Sequence, residues 1–182
     1  MLLFRFLLLA LLTALLIGAA QCRNILCKEK DSCCSFVEGF PSKLKAIRSS
    51  YAAIRDFYES NDDLDTSLFN RTILEHFKNP YGCSVMTDIL HFYLETVLPR
   101  AMDLKNYPAH INNIGLVFKD LKRELVKCRN YFTCQKPFEI SRVKNSYSQM
   151  GEKGLYKAMG ELDMLFNYIE DYVASQRRKH FG

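Results

Sequence analysis

Three features of this sequence predict an all-α bundle. Apolar residues recur every three or four positions through most of the chain after residue 22, which is the period of amphipathic helices. Short loops marked by glycine, proline and acidic residues separate these segments. No segment reads as a strand, and no internal repeat or low-complexity linker divides the chain. Together these features favour one domain of packed helices.

The first two predicted helices lie between residues 37 and 79. Gly39 and Pro41 mark the entry of the first helix, and the acidic run at 61–65 marks its exit. A shorter helix over 66–79 ends before Pro80, because the residue before proline disfavours helix. The first helix carries one apolar face, made by Leu44, Ile47, Tyr51, Ile54 and Tyr58.

The next predicted helices contain two informative prolines. Pro99 lies near the end of a long helix over 81–103, where its missing N–H should bend or loosen the last turn. Pro108 lies in the first turn of the following helix, where proline is tolerated. A shorter helix is predicted within 136–150. The inward-facing residues of the two long helices are Val85, Ile89, Phe92, Tyr93, Val97, Ile111, Ile114, Phe118, Leu121 and Leu125.

The last predicted helix, over 152–173, has two different faces. Gly151 and Gly154 mark the joint before it, and Lys157 and Glu161 are neighbours on its charged side. It completes a set of four substantial and two shorter helices. Its apolar stripe is formed by Leu155, Ala158, Met159, Leu162, Leu165, Phe166, Ile169 and Val173.

The first 22 residues have the layout of a secretory signal peptide. Arg5 precedes an uncharged apolar run, and small residues follow it at "GAA". Cleavage after Ala20 and cleavage after Cys22 both satisfy the small-residue rule. A retained membrane anchor is the alternative, but the run is short for one. We therefore expect a signal peptide at 1–22, a single domain at 23–182, and secretion without membrane insertion.

The charge of the mature chain is modest. Removing Arg5 with the signal leaves 24 Lys and Arg against 20 Asp and Glu, a net charge of +4. Most of the excess lies in "QRRKH" at 176–180, which indicates a frayed basic tail or a weak glycosaminoglycan contact. No basic stripe interleaved with exposed aromatics points to nucleic acid.

The sequence contains no recognisable catalytic constellation, so we expect no enzyme, no metal and no cofactor. His76, His91, His110 and His180 stand alone, and no HExxH, GxSxG, phosphate-binding loop or GxGxxG motif occurs. A secreted helical domain of this kind fits a binding protein. Its long helices all have charged outer faces, which favours a helical cytokine over a lipid carrier.

The chain has seven cysteines, and cleavage after Cys22 would leave an even set of six. In a secreted chain of this size they indicate disulfides. Six cysteines allow 15 connectivities, and spacing does not choose among them. No CxxC pair supports zinc instead.

The last predicted helix contains a long and specific motif. Its segment "EKGLYKAMGELDMLFNYIEDYV" has a KGxYKAMxExD core followed by NYIE, and "DSCCSF", "GC", "HFYLETVLP" and "KCRNYFTC" precede it in order. These segments resemble the interleukin-10 family of class II helical cytokines. The resemblance covers 31–175 and fits a vertebrate protein or a virally captured copy.

The resemblance implies an intertwined, V-shaped homodimer of six-helix bundles. The last two helices would cross to the other chain through the linker 130–137, so that the stripe fills the partner's core. An ordinary monomeric bundle is the alternative. The resemblance also implies the disulfides Cys33–Cys128 and Cys83–Cys134, which leaves Cys27 and Cys34 for a third. An intermolecular bond, or a swapped pairing of the adjacent Cys33 and Cys34, stays open.

The resemblance also implies a docking face for a first receptor chain. It spans the first helix, the following loop and the last helix. Glu59 departs from the family, because it replaces an amide with a charge. The alternative for Lys157 and Glu161 is a solvated surface pair. The positions carried over are Lys45, Arg48, Arg55, Glu59, Asp65, Lys157, Glu161 and Asp163.

The function implied is receptor assembly. The dimer would gather high-affinity and then low-affinity receptor chains and trigger JAK–STAT signalling that suppresses inflammatory responses. A monomeric, epithelium-directed relative and a receptor-binding decoy without signalling are the alternatives. Asn70-Arg71-Thr72 is a glycosylation sequon, which requires an outward-facing Asn70.

Overall fold

The computed structural model describes residues 27, 31–134 and 137–181, and the expected signal peptide at 1–22 lies outside them. Every regular element within the described residues is helical, which confirms the predicted all-α class. The α-helices are α1 (Ser32–Ala52), α2 (Arg55–Ser60), α3 (Arg71–His76), α4 (Gly82–Phe92), α5 (Leu98–Asp103), α6 (Pro108–Lys127), α7 (Ser141–Gln149), α8 (Lys153–Gly160) and α9 (Leu162–Phe181), and a π-helical turn (Tyr93–Val97) joins α4 to α5.

These elements form the six predicted units, because three of the units are interrupted helices. The units are α1–α2, α3, α4–α5 with its π-helical turn, α6, α7 and α8–α9. Helix α1 packs against both α6 and α9, while α2 packs against α8. The last unit therefore closes the bundle of its own chain in this structure.

The first helix begins earlier than predicted. Gly39 and Pro41 do not mark its start; α1 begins at Ser32, and Pro41 lies inside it. The Asp31 carboxylate caps this end by accepting hydrogen bonds from the N–H groups of Cys33 at 3.0 Å and Cys34 at 3.1 Å. Val37 and Phe40 are buried and extend the apolar stripe towards the cap. The cap and this burial together outweigh the hydrogen bond that a proline inside the helix removes.

The third unit shows the loosening predicted from Pro99. Proline has no N–H to give to the carbonyl of Glu95, and the helix immediately before it widens to a π-helical turn. Within that turn the N–H of Leu98 bonds to the carbonyl of Tyr93. The helix resumes as α5, so the proline loosens the unit without ending it.

The last unit is broken where the sequence predicts a continuous helix. Glu161 separates α8 from α9, with φ −85° and ψ 5°. Two buried tyrosines occupy carbonyls of α8 that continuous helix would use: Tyr93 donates its hydroxyl to Ala158 O at 2.6 Å, and Tyr51 donates to Gly160 O at 3.1 Å. Glycine at 160 also weakens helix propensity at this point. Burial raises the pKa of both hydroxyls above its ordinary value, so they stay protonated as donors.

The core is held together by a chain of aromatic contacts. Tyr51 meets Phe166 edge-on at 5.7 Å, Phe166 meets Phe118 at 6.2 Å, and Phe118 meets Tyr93 at 5.8 Å. The chain links α1, α9, α6 and the π-helical turn, and such pairs add about 0.5–1.5 kcal/mol each beyond their burial. The predicted stripe of the last unit, from Leu155 to Val173, is buried throughout.

Three disulfides tie the described chain. They join Cys33 to Cys128 and Cys83 to Cys134, which are the two pairs that the family resemblance implies, and Cys27 to Cys34, which is the pairing expected for the two cysteines left over. The last of these ties Cys27 to the first turn of α1, and the other two tie α1 to the C-cap of α6 and α4 to the segment that follows α6. Such bridges typically contribute about 2–4 kcal/mol.

The basic tail is helical where the sequence suggests fraying. Helix α9 runs to Phe181, and Gln176 within it is buried. The ring of His180 stacks on Tyr131 with centroids 3.9 Å apart, and its Nε2 lies 3.0 Å from Tyr131 O. These contacts hold the last turn of the helix against the end of α6.

Candidate functional site

A strip of charged side chains crosses from the first unit to α9. Arg55 lies 3.7 Å from Asp163 and 3.9 Å from Glu59 (nitrogen to oxygen), and Arg48 lies 3.9 Å from Asp163. Arg48 also pairs with Glu170 at 3.0 Å. We call these five residues the ion strip. It brings together four of the positions carried over from the family, and Glu170 is a member that sequence analysis did not find.

The ion strip is a solvated surface. Between 31% and 55% of each of its side chains is exposed, and most of its pairs are long. Exposed pairs of this kind contribute little to stability, about 0–1 kcal/mol each. The strip is therefore free to exchange its internal contacts for contacts with a charged partner.

Lys45 lies outside the pairs of the ion strip. It is exposed on α1, three residues before Arg48, so it faces the same side of the helix. Among the described residues it takes part in none of the ion pairs found. The structure therefore places Lys45 on the same side of α1 as Arg48, without an ion pair to the other charges, and its role on the docking face stays a prediction.

Lys157 has a different environment from the one predicted. Only 7% of the surface of the whole residue is exposed, so it is not a solvated surface residue. Its ammonium lies 2.8 Å from the Asp62 carboxylate and also donates a hydrogen bond to Leu64 O. Lys153, one turn earlier on α8, pairs with Asp63. Both lysines thus hold the loop that follows α2.

Glu161 holds the other end of the same loop. Its carboxylate accepts hydrogen bonds from the N–H groups of Leu68 and Phe69 and from the hydroxyl of Ser67, each at 2.9 Å. Charge-assisted bonds of this kind are stronger than neutral ones. The surface-pair reading of Lys157 and Glu161 is therefore wrong, because each side chain bonds to the loop. We call Asp62, Lys157 and Glu161 with their partners the loop latch.

Asp65 lies between the two ends of the loop latch. It is exposed, in a segment without regular structure between α2 and α3. The latch fixes the chain on both sides of it, at Asp62 to Leu64 and at Ser67 to Phe69. The loop latch therefore restricts where the Asp65 carboxylate lies.

Comparisons with known proteins match the chain to one family. A family model described as Interleukin 10 matches residues 7–175. The chain is 36% identical over 169 residues to "Interleukin-10" of Gallus gallus, covering 91% of this chain and 97% of the relative. It is 34% identical over 173 residues to "Interleukin-10" of Sus scrofa, covering 94% and 98%. It is also 34% identical to "Interleukin-10" of Felis catus, covering 89% and 91%.

The chain belongs to the interleukin-10 family. The resemblance found in the sequence is therefore confirmed, and the protein is a cytokine of the interleukin-10 type. The family model covers α1, the loop between α2 and α3, and α9 as far as residue 175.

Other features of this interleukin-10 family chain bear on the remaining predictions. Asn70 is exposed, and its Oδ1 caps α3 by accepting a hydrogen bond from Ile73 N–H at 3.0 Å. Cys27, Cys34 and Glu38 are the one group of potential metal ligands among the described residues, and the disulfide occupies both sulfurs. Within the part of the chain that the structure describes, no helix is both long and apolar enough to cross a bilayer.

Asp62, Asp63, Lys153 and Ser67 are site residues that sequence analysis missed. The i,i+4 spacing of Lys153, Lys157 and Glu161 places all three on one face of the last unit, and that was the available signal. The spacing does not tell which segment of the interleukin-10 family fold covers that face. That information depends on contacts between residues about 90 positions apart.

Proposed function

We propose that the protein is a secreted immunoregulatory cytokine that assembles two kinds of cell-surface receptor chain. The high-affinity chain docks on the ion strip and on the loop between α2 and α3. The low-affinity chain joins afterwards, and the clustered receptor tails trigger JAK–STAT signalling that suppresses inflammatory responses. Family membership supports this proposal, since relatives named "Interleukin-10" match more than nine-tenths of the chain.

The observation that carries the proposal is the ion strip, whose charged pairs link the first unit to α9. The Asp65 side chain is exposed in the loop that directly follows the first unit. Charges at exposed positions steer association and fix register more than they stabilise a fold. A receptor with complementary charges would therefore find the charges of the first unit and of α9 on one side of the molecule.

The proposed active form is an intertwined, V-shaped homodimer. In it α7, α8 and α9 of each chain pack on the partner through the linker 130–137. Domain swapping exchanges an identical element between protomers and keeps its contacts, so the aromatic contacts of Phe166 and the tyrosine bonds to α8 would be remade across chains. Two equivalent receptor faces per dimer raise the effective receptor concentration without new contacts.

A monomeric relative is the second candidate. One observation favours it: the last unit closes the core of its own chain, with the stripe from Leu155 to Val173 fully covered. A monomer would present one copy of the same face and gather one pair of receptor chains.

Solution mass decides between the two forms. We expect light scattering on the mature protein to give about twice the chain mass. A variant with a flexible Gly/Ser insertion between Cys134 and Pro137 should give a folded monomer, because a longer linker lets the last helices fold back. A wild-type monomer would overturn the exchanged dimer and leave the monomeric candidate.

Receptor assembly is tested with cells that carry a STAT-responsive reporter. The wild-type protein should activate the reporter only in cells that express both receptor chains. Arg55→Glu, which reverses a charge at the centre of the ion strip, should reduce activation. Binding to the high-affinity chain without reporter activation would instead indicate a decoy.

Secretion and glycosylation complete the proposal. The signal peptide at 1–22 would direct export, and Asn70 would carry a glycan on its exposed amide while Oδ1 continues to cap α3. Export with a mass increase that Asn70→Gln abolishes would support both. A weak glycosaminoglycan contact through Arg177, Arg178 and Lys179 stays a prediction.

A further inference from the structure

We infer that Lys157, Glu161 and Asp62 are positioning residues of the receptor face. The receptor does not contact these side chains directly; they fix the loop between α2 and α3, which it contacts. This inference rests on the proposed function, because it concerns how the proposed face is built. It adds Asp62 and Ser67 to the site and changes the role of Lys157 and Glu161.

Lys157 and Asp62 are much less exposed than the residues of the ion strip. The Lys157 and Asp62 side chains are 9% and 14% exposed, against 44% for Arg55 and 43% for Asp163. A receptor atom could touch little of the Lys157 ammonium without displacing the loop. The ammonium already has two oxygen partners, on Asp62 and Leu64.

Both carboxylate oxygens of Glu161 already accept hydrogen bonds from the loop. Oε1 accepts bonds from Ser67 and Leu68, and Oε2 accepts one from Phe69. Both oxygens therefore serve the loop. Two consecutive backbone N–H groups that donate to one carboxylate fix the direction of the chain as well as its distance.

Asp65, the residue that the receptor is proposed to contact, lies inside the latched loop. Asp65 is exposed and lies between the residues held by Lys157 and those held by Glu161. Without the loop latch the segment from 61 to 70 would sample many conformations, and receptor binding would have to order it. Ordering a flexible loop costs affinity, whereas a pre-ordered loop does not incur that cost.

The latch also connects the receptor face to the proposed dimer. Asp62 and Leu68 belong to the segment before α3, while Lys157 and Glu161 belong to the segment after the linker. In the exchanged dimer the loop of one chain would be held by the partner chain. The receptor face would then be complete only after dimerisation.

A charge swap separates positioning from direct contact. Lys157→Glu and Asp62→Lys each place two like charges in the latch, and each should weaken binding to the recombinant ectodomain of the high-affinity receptor chain by at least about tenfold. The double variant restores an opposite pair but leaves Leu64 O without the ammonium at position 157, so it should recover most of the lost affinity rather than all of it. Amide exchange at Leu68 and Phe69 in the free protein should accelerate in each single variant and slow again in the double.

The ion strip supplies the matched control. Arg55→Glu with Asp163→Arg also swaps an opposite pair, but both residues are exposed, and the receptor is expected to read each charge directly. This double variant should keep normal amide exchange at Leu68 and should not recover binding.

The outcomes are distinguishable. If the wild type does not bind the ectodomain, the proposed function fails. If the Lys157/Asp62 double variant regains amide protection but stays weak, the receptor reads Lys157 directly and the inference is wrong. If the double variant does not fold, Glu161→Gln and Asp62→Asn decide. Their affinities should fall together with amide protection, and a fall with protection retained would overturn the inference.

Discussion

The ion strip and the loop latch use the same kinds of side chain for different purposes. The strip pairs Arg48 and Arg55 with Asp163 at nearly 4 Å in contact with solvent, whereas the latch pairs Lys157 with Asp62 at 2.8 Å under the loop. Coulomb interactions are weak in water and much stronger where solvent is excluded. Burial, more than charge or spacing, therefore decides whether one of these residues is available to a partner.

The largest expected difference between the two regions concerns stability. Lys157→Met keeps the aliphatic stem but leaves the Asp62 carboxylate and Leu64 O without their cation. Removing one partner of a buried pair leaves an uncompensated charge, so we expect the free energy of unfolding to fall by about 3 kcal/mol. Urea unfolding followed by circular dichroism measures this loss.

Arg55→Met is the matched control for Lys157→Met, since it removes a cation with a similar stem from the ion strip. It should cost less than about 1 kcal/mol, because exposed pairs contribute little. Equal losses at the two positions would contradict the distinction between latch and strip. A Lys157→Met/Asp62→Leu variant should recover part of the loss, because it removes the unpaired carboxylate as well.

The second prediction tests the other end of the latch. Glu161→Ala removes an acceptor from two backbone N–H groups and one hydroxyl, and we expect about 2 kcal/mol of lost stability. Glu161→Gln keeps one acceptor oxygen and should lose about half as much. Faster amide exchange at Leu68 and Phe69, with the exchange of α4 and α6 unchanged, would show that the loss is local. Uniform acceleration across the chain would contradict a loop-specific role.

Most of the fold follows from the sequence because its signals are local. The 3.6-residue period of apolar residues identifies the helical units, and Pro108 marks the start of α6. The errors arise where distant contacts override local propensity. Pro41 lies within α1 because the cap at Asp31 and the buried Phe40 extend that helix. The break at Glu161 depends on hydroxyls of Tyr51 and Tyr93, which no local pattern reveals.

The site follows from the sequence only in part. The family motif identifies Arg48, Arg55 and Asp163 as members of one face, and the structure brings their charges together. It also identifies Lys157 and Glu161, but their inward orientation depends on a loop far away in the sequence. An amphipathic pattern separates apolar from charged faces, and it does not show that a loop covers part of the charged face.

The third prediction concerns the ion strip itself. Arg48→Ala removes the pairs with Asp163 and Glu170, a hydrogen bond to Asn167 and a cation–π contact with the Phe166 ring, whose centroid lies 5.8 Å from the guanidinium carbon. We expect a loss of about 0.5 kcal/mol in unfolding free energy, and high salt should reduce the part that comes from the ion pairs. Association with the high-affinity ectodomain should slow, with the largest effect at low salt. A stability loss as large as that of Lys157→Met would mean that the strip is structural.

The smallest expected effect lies beside the latch, where Lys153 pairs with Asp63 at exposed positions. The hydrogen bond from Lys153 lowers the pKa of the Asp63 carboxyl below its ordinary value of 3.8. A carboxyl whose pKa is lower in the folded state adds stability above its unfolded pKa, and this contribution is lost as the pH falls through the folded pKa. At neutral pH the melting temperature of the wild type should therefore be slightly higher than that of Asp63→Asn.

That small difference should close in acid and also in high salt, because both groups are exposed. Lys153→Met should behave like Asp63→Asn, since either change removes the same pair. A difference that persists below the folded pKa of Asp63 would mean that the side chain acts through packing rather than charge. In that case the latch would extend to Asp63, and the boundary between covered and solvated charges would lie further out on the loop than Lys157 and Asp62 indicate.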